Sequence, residues 1–212
     1  MHGSTVWEYR ARHPEETRAF DRAMAAGTER YAEAVLDTCD FSRFDHVVDV
    51  GGGDGIFLAK ILARHPRVRG TLFDQPHVVG GAAAARLSGE CAGRWQAIGG
   101  DFLAGVPGGG DAYLLKWVLH NWSDTAAVEI LRSCRQAMRP GGRVLIVEHV
   151  IGPPNASPER KFMDVTMMVM NGGRDRTRAE FASLLVAAGF RLVAVTPTST
   201  PLSVIEGAID DG

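Results

Sequence analysis

His46–Phe57 reads HVVDVGGGDGIF, and this stretch decides the fold. Val47, Val48 and Val50 make a short apolar, β-branched run of the kind found in strands buried on both faces. Gly51, Gly52 and Gly53 follow at once, then Asp54-Gly55 and an apolar-periodic segment from Ile56 to Leu62. Strand, glycine turn and helix form the first half of a βαβ unit, whose ligands bind at the carboxyl end of the strand. Residues without side chains let a ligand approach the backbone closely there. The next strand, VRGTLF (Val68–Phe73), ends on Asp74, at the spacing of a carboxylate that accepts hydrogen bonds from a ribose diol. The competing role for Asp74 is a helix N-cap ahead of Pro76; the two roles are compatible.

Upstream, Phe20, Met24, Tyr31, Val35 and Leu36 give Pro14–Cys39 the apolar face of a helix. Glu15 and Glu16 sit in its first turn, at the positive end of its dipole. Downstream, a helix is expected over Val78–Leu87 and a strand over Trp95–Ile98, followed by the turn Gly99-Gly100-Asp101-Phe102. An acid that accepts from an exocyclic amine, beside an aromatic ring, suits an adenine. The strand Asp111–Lys116 then runs into WVLHNWSD, which places His120 in a loop or short helical turn; Ser123 caps a helix reaching Met138. The strand Arg143–Val147 ends on Glu148, a Met-rich helix covers Glu159–Met170, and a glycine turn spans Asn171–Thr177. Helix Arg178–Ala188 and strands Phe190–Val195 and Ser203–Glu206 close the chain. Alternating strands and helices followed by two adjacent strands predict an α/β, doubly wound seven-stranded sheet with a terminal antiparallel hairpin. Residues 1–40 read as a helical segment leading into a ligand-binding domain over 41–212.

A chain of 212 residues, 45% apolar and 23% charged, is the size and composition of one globular α/β domain. The net charge of −2 and the absence of basic runs argue against a nucleic-acid partner. No apolar stretch approaches membrane-spanning length and the N-terminus is not a signal peptide, so no membrane partner and a cytoplasmic location are expected. Cys39, Cys91 and Cys134 are far apart with no CxxC pair, so they read as reduced thiols and no metal site is expected. A nicotinamide-binding fingerprint would need a third glycine where Ile56 stands, and a terminal hairpin is foreign to that fold. The alternative is the Rossmann-like class I fold of S-adenosylmethionine-dependent methyltransferases.

Six motifs in order, VDVGGGDG, FDQP, GDF, LLKWVLHNWSD, RPGGRVLIVE and NGGRDRT, carry a resemblance over roughly Trp7–Glu206. The sequence resembles the catalytic domain of the S-adenosylmethionine-dependent O-methyltransferases typified by the plant caffeic acid enzymes and by bacterial tailoring enzymes of natural-product pathways. The resemblance implies that Gly51 and Gly53 lie against the methionine part of the cofactor. It implies that Asp74 holds the ribose with Gln75 beside it, that Asp101 and Phe102 frame the adenine, and that Lys116 sits on the adenine side. It makes His120 the general base, Glu148 and Asp175 the acids that orient it, and Met24, Met167 and Asn171 acceptor-pocket residues. The implied partner is an aromatic small molecule carrying a hydroxyl. Related enzymes dimerise through a winged-helix-like N-terminal domain, and nothing of that length precedes Trp7.

The chemistry agrees with these assignments. A neutral phenol is a poor nucleophile, and an imidazole, whose ordinary pKa is about 6.5, can take its proton as the new bond forms. A carboxylate on the other ring nitrogen fixes the tautomer and stabilises the imidazolium. A second reading keeps the fold and the S-adenosylmethionine but assigns a non-methylating reaction, hydroxylation or pericyclic or elimination chemistry. A third is a non-catalytic cofactor-binding scaffold. Whether the acceptor gains a methyl group separates the first two.

Overall fold

The computed structural model describes residues 12–79, 91–152 and 173–210. The expected helix Glu159–Met170, with Met167, and the turn residue Asn171 lie outside these; so does the expected helix Val78–Leu87 beyond Val79. Val78 itself closes a turn on the Gln75 carbonyl.

Helix α1 (Pro14–Thr38) precedes strand β1 (His46–Val50), helix α2 (Ile56–Arg64), β2 (Arg69–Asp74), β3 (Trp95–Gly99) and β4 (Ala112–Lys116). Helix α3 (Asp124–Ala137), β5 (Arg143–Ile151), β6 (Arg176–Thr177), α4 (Arg178–Ala187), β7 (Phe190–Pro197) and β8 (Leu202–Ile209) follow. The sheet order is β3-β2-β1-β4-β5-β8-β7. The first five strands of that path are parallel, and β8 and β7 pair antiparallel at one edge. This is the seven-stranded sheet and terminal hairpin that the sequence predicts.

Side chains alternate across each strand, so one chain segment feeds two cores. Val47, Leu114 and Leu145 face α1 and α2 and pack with Phe57, Leu58 and Ile61. Val48, Leu115 and Ile146 face α3 and α4 and pack with Ile130, Leu131, Phe181 and Leu185. Burial on both faces explains the nearly unbroken apolar runs of these strands. Helix α1 packs against α2 and β8 as part of the first layer. Across the α1–α2 groove, Lys60 and Arg64 pair with Glu33, and Arg64 also with Asp37, at 2.6–3.0 Å. These exposed pairs contribute little each.

Two features differ from the expectation. Strand β5 continues past Glu148 to Ile151, because β8 keeps pairing with it as far as His149↔Leu202. Glu148 is therefore inside a strand rather than at its end. The extension also exposes an edge on which Val150 and Ile151 pair with Arg176 and Thr177, adding the two-residue β6. Thr177 then starts α4 with a complete capping box, its hydroxyl taking the Glu180 N–H and Glu180 taking the Thr177 N–H. Thr177→Ala is expected to cost about 1 kcal/mol, read as a lower urea midpoint with unchanged slope.

Candidate active site

The strand order reverses between β1 and β4, and a doubly wound sheet opens its ligand crevice at that switch point. The glycine turn lies at its mouth. Gly51 and Gly52 donate their N–H groups to the Phe73 carbonyl, and Gly53 donates to Asp74 Oδ2 at 2.9 Å. Gly51 and Gly53 have φ of +70° and +62°, a conformation that glycine adopts without strain. A Cβ on Gly51 would fall 2.8 Å from Val118 Cγ2, whereas one on Gly53 would meet nothing within 4 Å. Gly51 is closed by packing and Gly53 opens onto free space.

Asp74 ends β2 with its other oxygen taking the Gln75 N–H at 2.7 Å. It thus ties the second strand to the glycine turn rather than serving only as a cap. Asp101 is exposed and takes the Leu103 N–H, while the Phe102 ring meets Trp122 edge-on at 5.5 Å. Phe102 also approaches Gly51, so the expected adenine aromatic lies beside the glycine turn and just beyond the His120 turn.

Lys116 ends β4 and turns toward α1. Its ammonium donates to Thr28 Oγ1 at 2.9 Å, and that hydroxyl donates in turn to the Met24 carbonyl. The ammonium also lies 4.2 Å from the centroid of the Trp117 ring, and Trp117 has a φ of +56°. The charge that acts on Lys116 most is Asp49, a fully buried carboxylate in the apolar run of β1. Burial pushes the Asp49 carboxyl up to about 7, against the pull of Lys116, and brings the Lys116 ammonium down to about 8. Met24 is 38% exposed on α1, one turn before Thr28.

His120 occupies a one-turn 3-10 helix, Leu119–Asn121, held from several sides. Its Nδ1 lies 3.8 Å from Asp175 Oδ1, with the two side chains 15% and 1% exposed. Glu148 is placed differently from the expectation of an acid on the ring: its Oε1 takes the backbone N–H of His120 at 3.0 Å. Burial raises the Glu148 carboxyl above its usual range, although His120 and Arg176 oppose it. Of the two expected acids, Asp175 faces the imidazole and Glu148 fixes the main chain that carries it.

Sequence reasoning missed Asp49, Thr28 and Arg176. Only Asp49 left a signal, a carboxylate inside a buried-strand run, which needs a cationic partner. The cradle fits S-adenosylmethionine. Gly53 leaves room, Asp74 stands at the end of β2, and Asp49 Oδ2 is buried and accepts no hydrogen bond among the described residues. Among the described residues no cluster of His, Cys, Asp and Glu is able to hold a metal ion.

Residues 1–191 match the O-methyltransferase domain family. The phenazine O-methyltransferase PhzM of Lysobacter antibioticus is 43% identical over 96% of this chain and 60% of its own length. The 3-amino-4-hydroxybenzoate 4-O-methyltransferase of Streptomyces cremeus is 40% identical over 92% of this chain and 54% of its own. The solved structure of NcsB1, an O-methyltransferase from neocarzinostatin biosynthesis in complex with S-adenosyl-L-homocysteine and 1,4-dihydroxy-2-naphthoic acid, superposes with a TM-score of 0.90 at 34% identity. That match covers 98% of this chain and 62% of NcsB1. The chain thus spans about 60% of the length of these relatives. Sheet, glycine turn and histidine turn sit on a chain that belongs to the O-methyltransferase domain family.

Proposed function

We propose that this chain is the S-adenosylmethionine-binding catalytic domain of a methyltransferase that methylates a phenolic hydroxyl of an aromatic small molecule. The observation that carries this is His120 beside Asp175, on a turn adjoining the glycine cradle. When bound, the cofactor supplies an electrophilic methyl group on a sulfonium. Asp175 occupies the Nδ1 side of His120 and leaves Nε2 as the nitrogen that takes the phenolic proton. The resulting imidazolium is stabilised by the buried Asp175 carboxylate. In this reading Asp74 and Gln75 hold the ribose, Asp101 and Phe102 frame the adenine, and Gly51 and Gly53 lie against the methionine part. For Lys116, the hydrogen bond to Thr28 and the charge of Asp49 acting on its ammonium support a place at the α1 wall of the cofactor crevice.

Incubation with labelled S-adenosylmethionine and 1,4-dihydroxy-2-naphthoic acid, within a panel of phenols and hydroxybenzoates, tests the proposal. A product heavier by one methyl group supports it. Bound S-adenosylhomocysteine with a chemically changed but unmethylated acceptor would favour the non-methylating reading instead. Asp74→Ala is expected to weaken S-adenosylhomocysteine binding by about 1.5–3 kcal/mol in calorimetry, the worth of a hydrogen bond to a charged group. Equal affinity in the variant would limit Asp74 to bracing the glycine turn.

No helix of the described residues is long and apolar enough to cross a membrane. A cytoplasmic location is supported by three free, buried cysteines. The greater length of the relatives fits a further domain that makes the dimer and covers the acceptor.

A further inference from the structure

We propose that Arg176 is a positioning residue that, with Gly173, clamps the turn 119–122 and sets the approach of His120 to Asp175. This rests on the reading of His120 as the proton acceptor. Arg176 is an arginine with 0% exposure, and burying a guanidinium is costly unless its donors are filled. They are filled by the carbonyls of the turn, by the Arg174 carbonyl and by Asp124. Nη1 donates to the Leu119 carbonyl at 2.9 Å and Nη2 to the Trp122 carbonyl at 2.8 Å, so the fork grips main chain on both sides of His120. Nε donates to Asp124 Oδ1 at 3.0 Å, anchoring the guanidinium to the start of α3. From below, a Cβ on Gly173 would run into the backbone carbonyl of His120. From the sheet, Glu148 takes the His120 N–H.

Connectivity converts this grip into catalytic geometry. Asp175 stands between Gly173 and Arg176, and the pairing of Arg176 and Thr177 with Val150 and Ile151 fixes that short segment to β5. The residues that hold the histidine turn therefore flank the acid that faces its ring. A planar fork satisfies two carbonyls and a carboxylate at once; a lysine ammonium is a point donor and does not reproduce that geometry. Loosening the clamp lets the ring drift from Asp175 and lose its single tautomer.

The test uses the whole chain, labelled with 15N-histidine, with two-bond proton–nitrogen correlation of the imidazole; His120→Gln identifies the signal. Wild-type chain is expected to show one tautomer with the proton on Nδ1. In Arg176→Lys the Nδ1 and Nε2 shifts are expected to move toward each other, and methyl transfer to fall by about 10²-fold in kcat, the scale of a 1 Å misplacement. S-adenosylhomocysteine affinity stays within about threefold, so folding and the cofactor cradle are controlled. Gly173→Ala crowds the same turn and carries the same expectation if Arg176→Lys fails to fold. A folded variant with wild-type His120 nitrogen shifts overturns the clamp, whether or not any acceptor is methylated. A wild-type chain that binds the cofactor but methylates nothing overturns the functional reading, and the nitrogen shifts still decide the clamp.

Discussion

His120→Ala is expected to lower methyl transfer to a phenolic acceptor by about 10²–10⁴-fold, the usual contribution of a positioned general base. S-adenosylhomocysteine affinity should change by less than about twofold, because the side chain leaves the glycine cradle untouched. The turn should also survive. Glu148 holds the backbone N–H of residue 120, and Arg176 holds the Leu119 and Trp122 carbonyls, none of which needs the imidazole. The split between chemistry and binding identifies the role: loss of cofactor affinity together with turnover would make His120 structural. Asp175→Asn sharpens the test. It keeps the shape beside Nδ1 but removes the charge that stabilises an imidazolium, so it should reduce turnover while folding normally. Loss of turnover in both variants, with binding intact, is the pattern of a base and its orienting acid. Intact turnover in His120→Ala would leave proton removal to solvent and reduce the site to proximity alone.

What the sequence made legible was local. The β-branched run, the glycines and the acid ending the second strand stand close together in the chain, so the parallel sheet and the crevice at its switch point were readable from the sequence alone. The terminal hairpin was readable too, because two strands stood together without a helix between them. Residues whose roles come from distant partners were not. Arg176 looks like one charge in the polar run NGGRDRT, yet it is fully buried, and its shortest hydrogen bonds end on residues more than fifty positions away. Thr28 is an ordinary helix residue until β4 brings Lys116 to it, 88 positions along the chain. The role of Glu148 was half legible. Its place near the histidine was expected, but its bond to main chain rather than ring depends on how far β5 runs, which is set by pairing with β8.

The second large effect is expected at Asp49 and Lys116, whose charges act on each other through space; the cost of breaking a buried ion pair, about 3–5 kcal/mol, is its upper bound. Lys116→Met should approach that cost near pH 8, because it strands the Asp49 carboxylate under Gly52, next to Leu72. The penalty should shrink at lower pH, and the sign follows from the shifts. Burial raises Asp49 from 3.8 to about 7 in the folded protein, so the folded state holds that proton more tightly than the unfolded chain. The contribution of this group to stability is therefore fully present below its unfolded pKa and is lost as pH rises toward 7. Removing the Lys116 charge raises the carboxyl further, so at pH 6 the variant avoids the buried charge by keeping the proton. Lys116 is shifted the opposite way, down to about 8, so its buried charge is a growing cost as pH falls from the ordinary lysine range toward 8. Asp49→Asn should then flatten the decline between pH 4 and 7, and Asp49→Asn with Lys116→Met should cost less than the sum of the two single changes. Urea unfolding of the four proteins at pH 6 and pH 8 measures this coupling directly. Additive costs at both pH values would show that the two charges do not compensate each other.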